Sequence, residues 1–173
     1  MTLFLRLLLL LGLVTSATAA EPWRVMSFNV RYATAADGDN AWTKRTELFF
    51  ATIAAYAPDL IGFQEVVAVQ HDALTARLTD YAFSGVARDD GQRKGEWSCI
   101  GYRKARFTAV AEGNFWLSET PEVIGSKSWD AALTRICSWV RLRETATGKE
   151  FLFANTHFRS EEHTSELQSL RRI

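Results

Sequence analysis

Hydrophobic and polar positions alternate over residues 24–30, with Val25, Ser27 and Asn29 on one side and Met26, Phe28 and Val30 on the other. That period of two predicts a strand. A loop follows at 34–40, marked by Asp37-Gly38-Asp39-Asn40. Asn40 or Thr43 then caps a predicted helix running to about Tyr56, and Trp42, Phe49, Ile53 and Tyr56 recur near helical spacing on its apolar side. Pro58 stops the helix, because the residue before a proline is pushed out of the helical region. The run Pro58-Asp59-Leu60-Ile61-Gly62-Phe63-Gln64-Glu65-Val66 predicts a strand apolar on both faces that leads straight into a carboxylate. Strand, helix and strand in this length predict a right-handed crossover with parallel strands. Both strands then finish on one edge of the sheet, with Asn29 beside Glu65, where open α/β sheets bind ligands.

Residues 69–78 predict a second helix, with Val69, Ala73, Leu74 and Leu78 on one face and His71 on the outer surface. Strands are expected at 81–87, 97–103, 107–111 and 115–117, with a longer loop at 118–132. The loop at 88–96 is charged and carries two glycines; Arg88, Arg93 and Lys94 there suit the lining of a phosphate cleft. Residues 135–143 alternate cleanly, with Ile136, Ser138, Val140 and Leu142 on one face. Thr147-Gly148 predicts a hairpin turn into a last strand over 150–158, where Phe151, Phe153, Asn155 and His157 share a face.

The ends of the 173-residue chain read differently. Residues 1–20 combine an early positive charge at Arg6, an apolar run at 7–14 and small residues at 16–20, the order of a secretory signal peptide. The apolar run is shorter than the roughly 20 residues that span a bilayer. An exported protein is therefore expected, periplasmic or secreted, with no membrane anchor after cleavage. Export permits a disulfide between Cys99 and Cys137, while their positions inside strands equally suit buried free thiols. Twenty basic and twenty acidic residues cancel, so the strongly basic footprint of a nucleic-acid-coating protein is absent. A nuclease with a local basic cleft, or a hydrolase of small phosphate esters, stays compatible.

Three strand ends carry polar chemistry: Asn29, Glu65 and His157, with Arg31, Gln64, Asn155 and Arg135 around them. An amide, a carboxylate and an imidazole suit a hard metal ion with a phosphoryl substrate, since Mg²⁺ takes oxygen ligands and needs few from the protein. The segments Met26-Ser27-Phe28-Asn29-Val30-Arg31, Pro58 to Val66 as quoted above, and Asn155-Thr156-His157-Phe158 resemble, in order and spacing, the endonuclease/exonuclease/phosphatase superfamily. Arg88-Asp89-Asp90-Gly91, Gly95-Glu96 and Phe115-Trp116-Leu117-Ser118-Glu119-Thr120-Pro121 are similar to its exported bacterial branch. The resemblance implies an α/β (α+β) sandwich, the N-terminal part of a four-layer αββα deoxyribonuclease-I-like fold. It implies a Mg²⁺-dependent hydrolase of phosphate esters, with Mn²⁺ as a substitute ion, acting by in-line attack of water on phosphorus. Glu65 would bind the metal, and Asn29 would hold the metal or a phosphate oxygen. His157 would contact the scissile phosphate, stabilising its transition state or protonating the leaving group. Arg31, Arg88, Glu96 and Asn155 are the remaining substrate-binding candidates. The expected partner is a phosphate-ester substrate met by a monomer.

The family's later motifs, a Gly-Asp-Phe-Asn segment and a terminal Asp-His pair, are not found, nor is the second half of its sandwich. Residues 159–169 resemble the in-frame translation of a sequencing-library adapter, so 159–173 is expected to be a non-native tail on a partial domain spanning 21–158. Reduced stability and weak activity are expected of such a chain. A non-catalytic remnant or binding module of the same fold is the alternative. A metal-independent esterase is disfavoured, because no Gly-x-Ser-x-Gly elbow occurs.

Overall fold

The computed structural model describes residues 21–158. The expected signal peptide at 1–20 and tail at 159–173 lie outside the described residues. Two sheets and two helices stack in three layers. The first sheet has the order β1-β2-β4-β3, from β1 (Val25–Asn29), β2 (Leu60–Gln64), β3 (Tyr81–Ser84) and β4 (Ile100–Arg103). The second is an antiparallel sheet in the order β5-β6-β7, from β5 (Phe107–Trp116), β6 (Ile136–Glu144) and β7 (Glu150–Thr156). Helices α1 (Trp42–Tyr56) and α2 (Ala68–Arg77) cover the outer side of the first sheet.

β2 is the centre of this arrangement. All five of its residues are buried, because it is covered on both faces. Ile61 and Phe63 pack with Trp42, Phe49, Phe50 and Ile53 of α1 and Leu74 of α2. Leu60 packs on the other side, with Ile100 and Tyr102, against Phe107, Val140 and Leu142 of the second sheet. β1 and β2 pair in parallel with Asn29 opposite Gln64, so the expected crossover is present. α1 ends at Ala57, which takes a left-handed conformation just before Pro58.

Several boundaries differ from the sequence expectation for local reasons. Neither Asn40 nor Thr43 caps α1; its N-cap is Ala41, which follows a short 3₁₀ turn and makes no side-chain capping bond. Tyr56 closes α1 largely exposed. The two strands expected at 107–111 and 115–117 are one strand, β5, with an irregularity between Ala109 and Ala111. Gly113 lets it continue: it pairs with Trp139, and a Cβ there would lie 2.8 Å from the indole. Val69, expected on the apolar face of α2, is exposed, because that helix buries Gln70 and Leu74 instead. The 97–103 strand shortens to β4, and Trp97 makes isolated bridges to Val66 and Ala87.

Candidate functional site

The parallel pairing of β1 and β2 sets two side chains on one rim. Asn29 is the last residue of β1, and Glu65 follows the last residue of β2. Asn29 donates from Nδ2 to Glu65 Oε1 at 2.8 Å. The backbone N–H of Tyr32 donates to Glu65 Oε2 at 3.2 Å, and that of Arg31 to Asn29 Oδ1 at 2.9 Å. Glu65 and Arg31 both hold positive φ, +61° and +55°, a region that costs energy for residues with a Cβ. Such strain persists where surrounding contacts over-determine it, and it clusters at functional sites.

The second sheet delivers the imidazole. β7 crosses behind β2, and His157 follows its last residue. His157 Nε2 lies 4.0 Å from Glu65 Oε1, and His157 Nδ1 lies 4.0 Å from Glu96 Oε2. Glu96 is held by a two-pronged bond from Arg88, Nη1 to Oε2 at 2.8 Å and Nη2 to Oε1 at 3.2 Å. The loop carrying both is pinned by Trp116, whose indole N–H donates to the Arg88 carbonyl at 2.6 Å. Glu65, Glu96 and His157 are each 15–20 % exposed, reachable but mostly enclosed. His157 Nδ1 is buried with no hydrogen-bond partner. Burial first, then the charge of Arg135, pushes the imidazole pKa below its ordinary value, while Glu65 and Glu96 pull the other way. The resting ring is therefore neutral near pH 7.

The predicted residues thus divide. Asn29, Glu65, Glu96, Arg88 and His157 converge. Arg31 turns its side chain away: its guanidinium grips Asp37 through two 2.9 Å bonds, which raise its pKa further, and only its backbone serves the rim. Asn155 is not brought to the rim. It is buried between the sheets, donating to the carbonyls of Phe63 (2.7 Å) and Cys99 (3.0 Å) and accepting from Gln64 Nε2 (2.7 Å). Gly62 leaves room for it, since a Cβ there would lie 2.7 Å from Asn155 Oδ1. His71 is half-buried, stacked on Trp97 with centroids 5.2 Å apart. Gln70 was missed by the sequence reading. Its spacing of four residues from the buried Leu74, one helical turn, was the available signal for a buried polar side chain.

The donor set fits a hard divalent cation. Each Glu65 oxygen accepts one bond from a neutral donor, so the full carboxylate charge and a lone pair on each oxygen remain. Asn29 Oδ1 keeps a lone pair as well. Among the described residues no cluster of three or more His, Cys, Asp or Glu side chains could hold a metal. Water and substrate oxygens would complete the shell, as is usual for Mg²⁺.

Solved structures share this fold. An endonuclease/exonuclease/phosphatase from Bacteroides vulgatus is 36% identical, covering 87% of this chain and 59% of that one, with a TM-score of 0.77. An endonuclease/exonuclease/phosphatase family protein from Bacteroides thetaiotaomicron is 44% identical over 78% of this chain and 49% of its own, with a TM-score of 0.73. A mannosyl-6-phosphatase from the same species is 37% identical over 87% and 61%, with a TM-score of 0.75. The chain therefore spans about half to three-fifths of the length of these structures. No protein-family model matches the chain, and no curated protein does.

Proposed function

Because this chain belongs to the endonuclease/exonuclease/phosphatase family, we propose that it hydrolyses phosphate esters with a divalent metal ion, Mg²⁺ or Mn²⁺, held by Glu65 and Asn29. The observation that carries this reading is the convergence of Asn29, Glu65, Glu96 and His157 from distant parts of the chain on one rim. The bound cation would neutralise phosphate charge and polarise a phosphoryl oxygen. The side chains supply the rest. Neutral His157 presents Nε2 toward the carboxylate that anchors the site. An arriving phosphate is anionic, and its charge raises the imidazole pKa, so the ring takes up a proton. It then donates a hydrogen bond to a phosphoryl oxygen or protonates the leaving oxygen, a contribution of typically ~10²–10⁴-fold. Glu96, on the far nitrogen, stabilises the imidazolium, and Arg88 fixes Glu96. The incoming water attacks phosphorus on the side opposite the leaving group.

The 37% identical mannosyl-6-phosphatase favours small phosphate monoesters as substrates, and the balanced charge agrees. Export by a cleaved N-terminal leader, and action as a monomer, belong to the same proposal. No helix among the described residues is long and apolar enough to cross a membrane. Activity is expected to be weak relative to a chain as long as its relatives. The test is hydrolysis of a monoester and a diester panel, with Mg²⁺, Mn²⁺ or EDTA, by the chain and its Glu65→Gln and His157→Ala variants. Turnover that EDTA and both substitutions suppress by at least about tenfold supports the reading. Turnover indifferent to all three overturns it, and no turnover with either ion overturns it in favour of a non-catalytic module.

A further inference from the structure

Gln70 is a polar residue placed where α2 should be apolar. It is 1 % exposed, and its amide makes three bonds, all to backbone. Oε1 accepts from the N–H of Ala33 (3.1 Å) and of Val67 (3.1 Å), and Nε2 donates to the carbonyl of Arg31 (2.9 Å). That carbonyl also accepts from Arg45 Nη2 at 2.8 Å.

The Arg31 carbonyl and the Tyr32 N–H belong to one peptide unit. The unit is planar, and in the trans form its oxygen and hydrogen point in opposite directions. Fixing the oxygen therefore fixes where the hydrogen points, and it points at Glu65 Oε2. Hydrogen bonds along such a chain also polarise one another, and the Arg45 donor is cationic. The same turn holds Arg31 at positive φ and aims its N–H at Asn29. Ala33, one residue further on, is tied to Gln70 as well. The turn is thus held on both sides of Tyr32 by a single buried amide.

We propose that Gln70 is a positioning residue for the Glu65 site: it acts through the Arg31–Tyr32 peptide to hold the Glu65 carboxylate in one orientation, with Arg45 as a second support on the same carbonyl. The metal-binding role rests on the proposed function; the positioning of the Tyr32 N–H does not. Outer partners that orient ligands are commonly worth about 10–100-fold in metal affinity.

Two variants of the full chain test it, Gln70→Met, which keeps length and removes every bond, and Arg45→Met, a change at a half-buried position that removes the second support together with the Arg45 bond to the Asn40 carbonyl and its place over Trp42. Amide exchange in the metal-free protein and Mn²⁺ affinity by electron paramagnetic resonance are the readouts. In Gln70→Met, Tyr32 is expected to exchange at least about tenfold faster while the amide of Phe63 in β2 is unchanged, and Mn²⁺ is expected to bind about 10–100-fold more weakly. Arg45→Met shifts both readouts the same way by less. If Gln70→Met does not fold, Arg45→Met decides. Unchanged Tyr32 exchange in the folded variants, or acceleration shared equally by Phe63, overturns the proposal, because the role would then be absent or merely structural. If wild type binds no Mn²⁺ while Tyr32 responds as expected, the metal reading fails and the positioning of the peptide stands.

Discussion

Replacing Asn155 with alanine removes the polar clamp between the two sheets. Three hydrogen bonds go, at 2.7, 2.7 and 3.0 Å. At about 0.5–1.5 kcal/mol net each, the sum is about 1.5–4.5 kcal/mol. Two partners have substitutes: the Cys99 carbonyl also accepts from the Phe63 N–H at 2.9 Å, and Gln64 Nε2 also reaches the Gly62 carbonyl at 3.1 Å. The lower half of the range, about 1.5–3 kcal/mol, is therefore expected. With a urea slope of about 1–3 kcal/mol/M, the denaturation midpoint falls by about 0.5–3 M. Asn155→Asp makes the sharper control. A carboxylate accepts only, and it would face two carbonyl oxygens without water. It should cost more than alanine near pH 7, about 3–5 kcal/mol. Burial raises the folded-state pKa of that new acid, so the excess cost over wild type shrinks as pH falls toward the unfolded carboxyl value near ~4 and returns as pH rises through the folded one. Urea titrations of the three proteins from pH 7.5 to 4.5 measure this. An alanine variant within about 0.5 kcal/mol of wild type, or an aspartate variant that tracks wild type at every pH, refutes the clamp.

Burial depresses the pKa of both His71 and His157 below 6.5. The unfolded chain then binds more protons than the folded one, so this stability is fully present above about 6.5 and is lost as pH falls through the depressed folded values. The urea midpoint should drop between pH 7.5 and 5.5, and His71→Gln should remove part of the drop; a midpoint indifferent to pH contradicts this. Cys99 faces the helices in the first core, its thiol pushed up to about 12 by burial, and Cys137 lies on the face of β6 opposite the inward Ser138. Both are buried free thiols. An aromatic disulfide reagent should modify neither in the native protein and both in urea; one fast-reacting thiol under native conditions contradicts this.

Local patterns carried most of the fold. The apolar run at 60–63 could only be a strand buried twice over, Pro58 fixed the end of α1, and Gly148 holds the hairpin turn at φ +70°. The rim was legible too, because parallel strands must end together and Asn29 and Glu65 are their ends. What escaped depended on contacts distant in sequence. Gly113 looks like a strand breaker until Trp139 covers it. Asn155 shares a face with Phe151 and Phe153, and that face turned inward, so its place beside His157 in the motif misassigned it to the substrate. Gln70 looked like one polar residue on a helix because its three partners lie in turns at 31–33 and 67.

Paramagnetic broadening of the histidine ring resonances by Mn²⁺ asks most directly whether the carboxylate and the imidazole share one ion-binding rim. With Mn²⁺ bound at Glu65, the His157 resonances should broaden most strongly, because Nε2 lies 4.0 Å from Glu65 Oε1, His71 should broaden less, and Glu65→Gln should abolish the effect. Stronger broadening of His71 than of His157, or broadening of neither at ion concentrations that saturate the protein, would contradict the site.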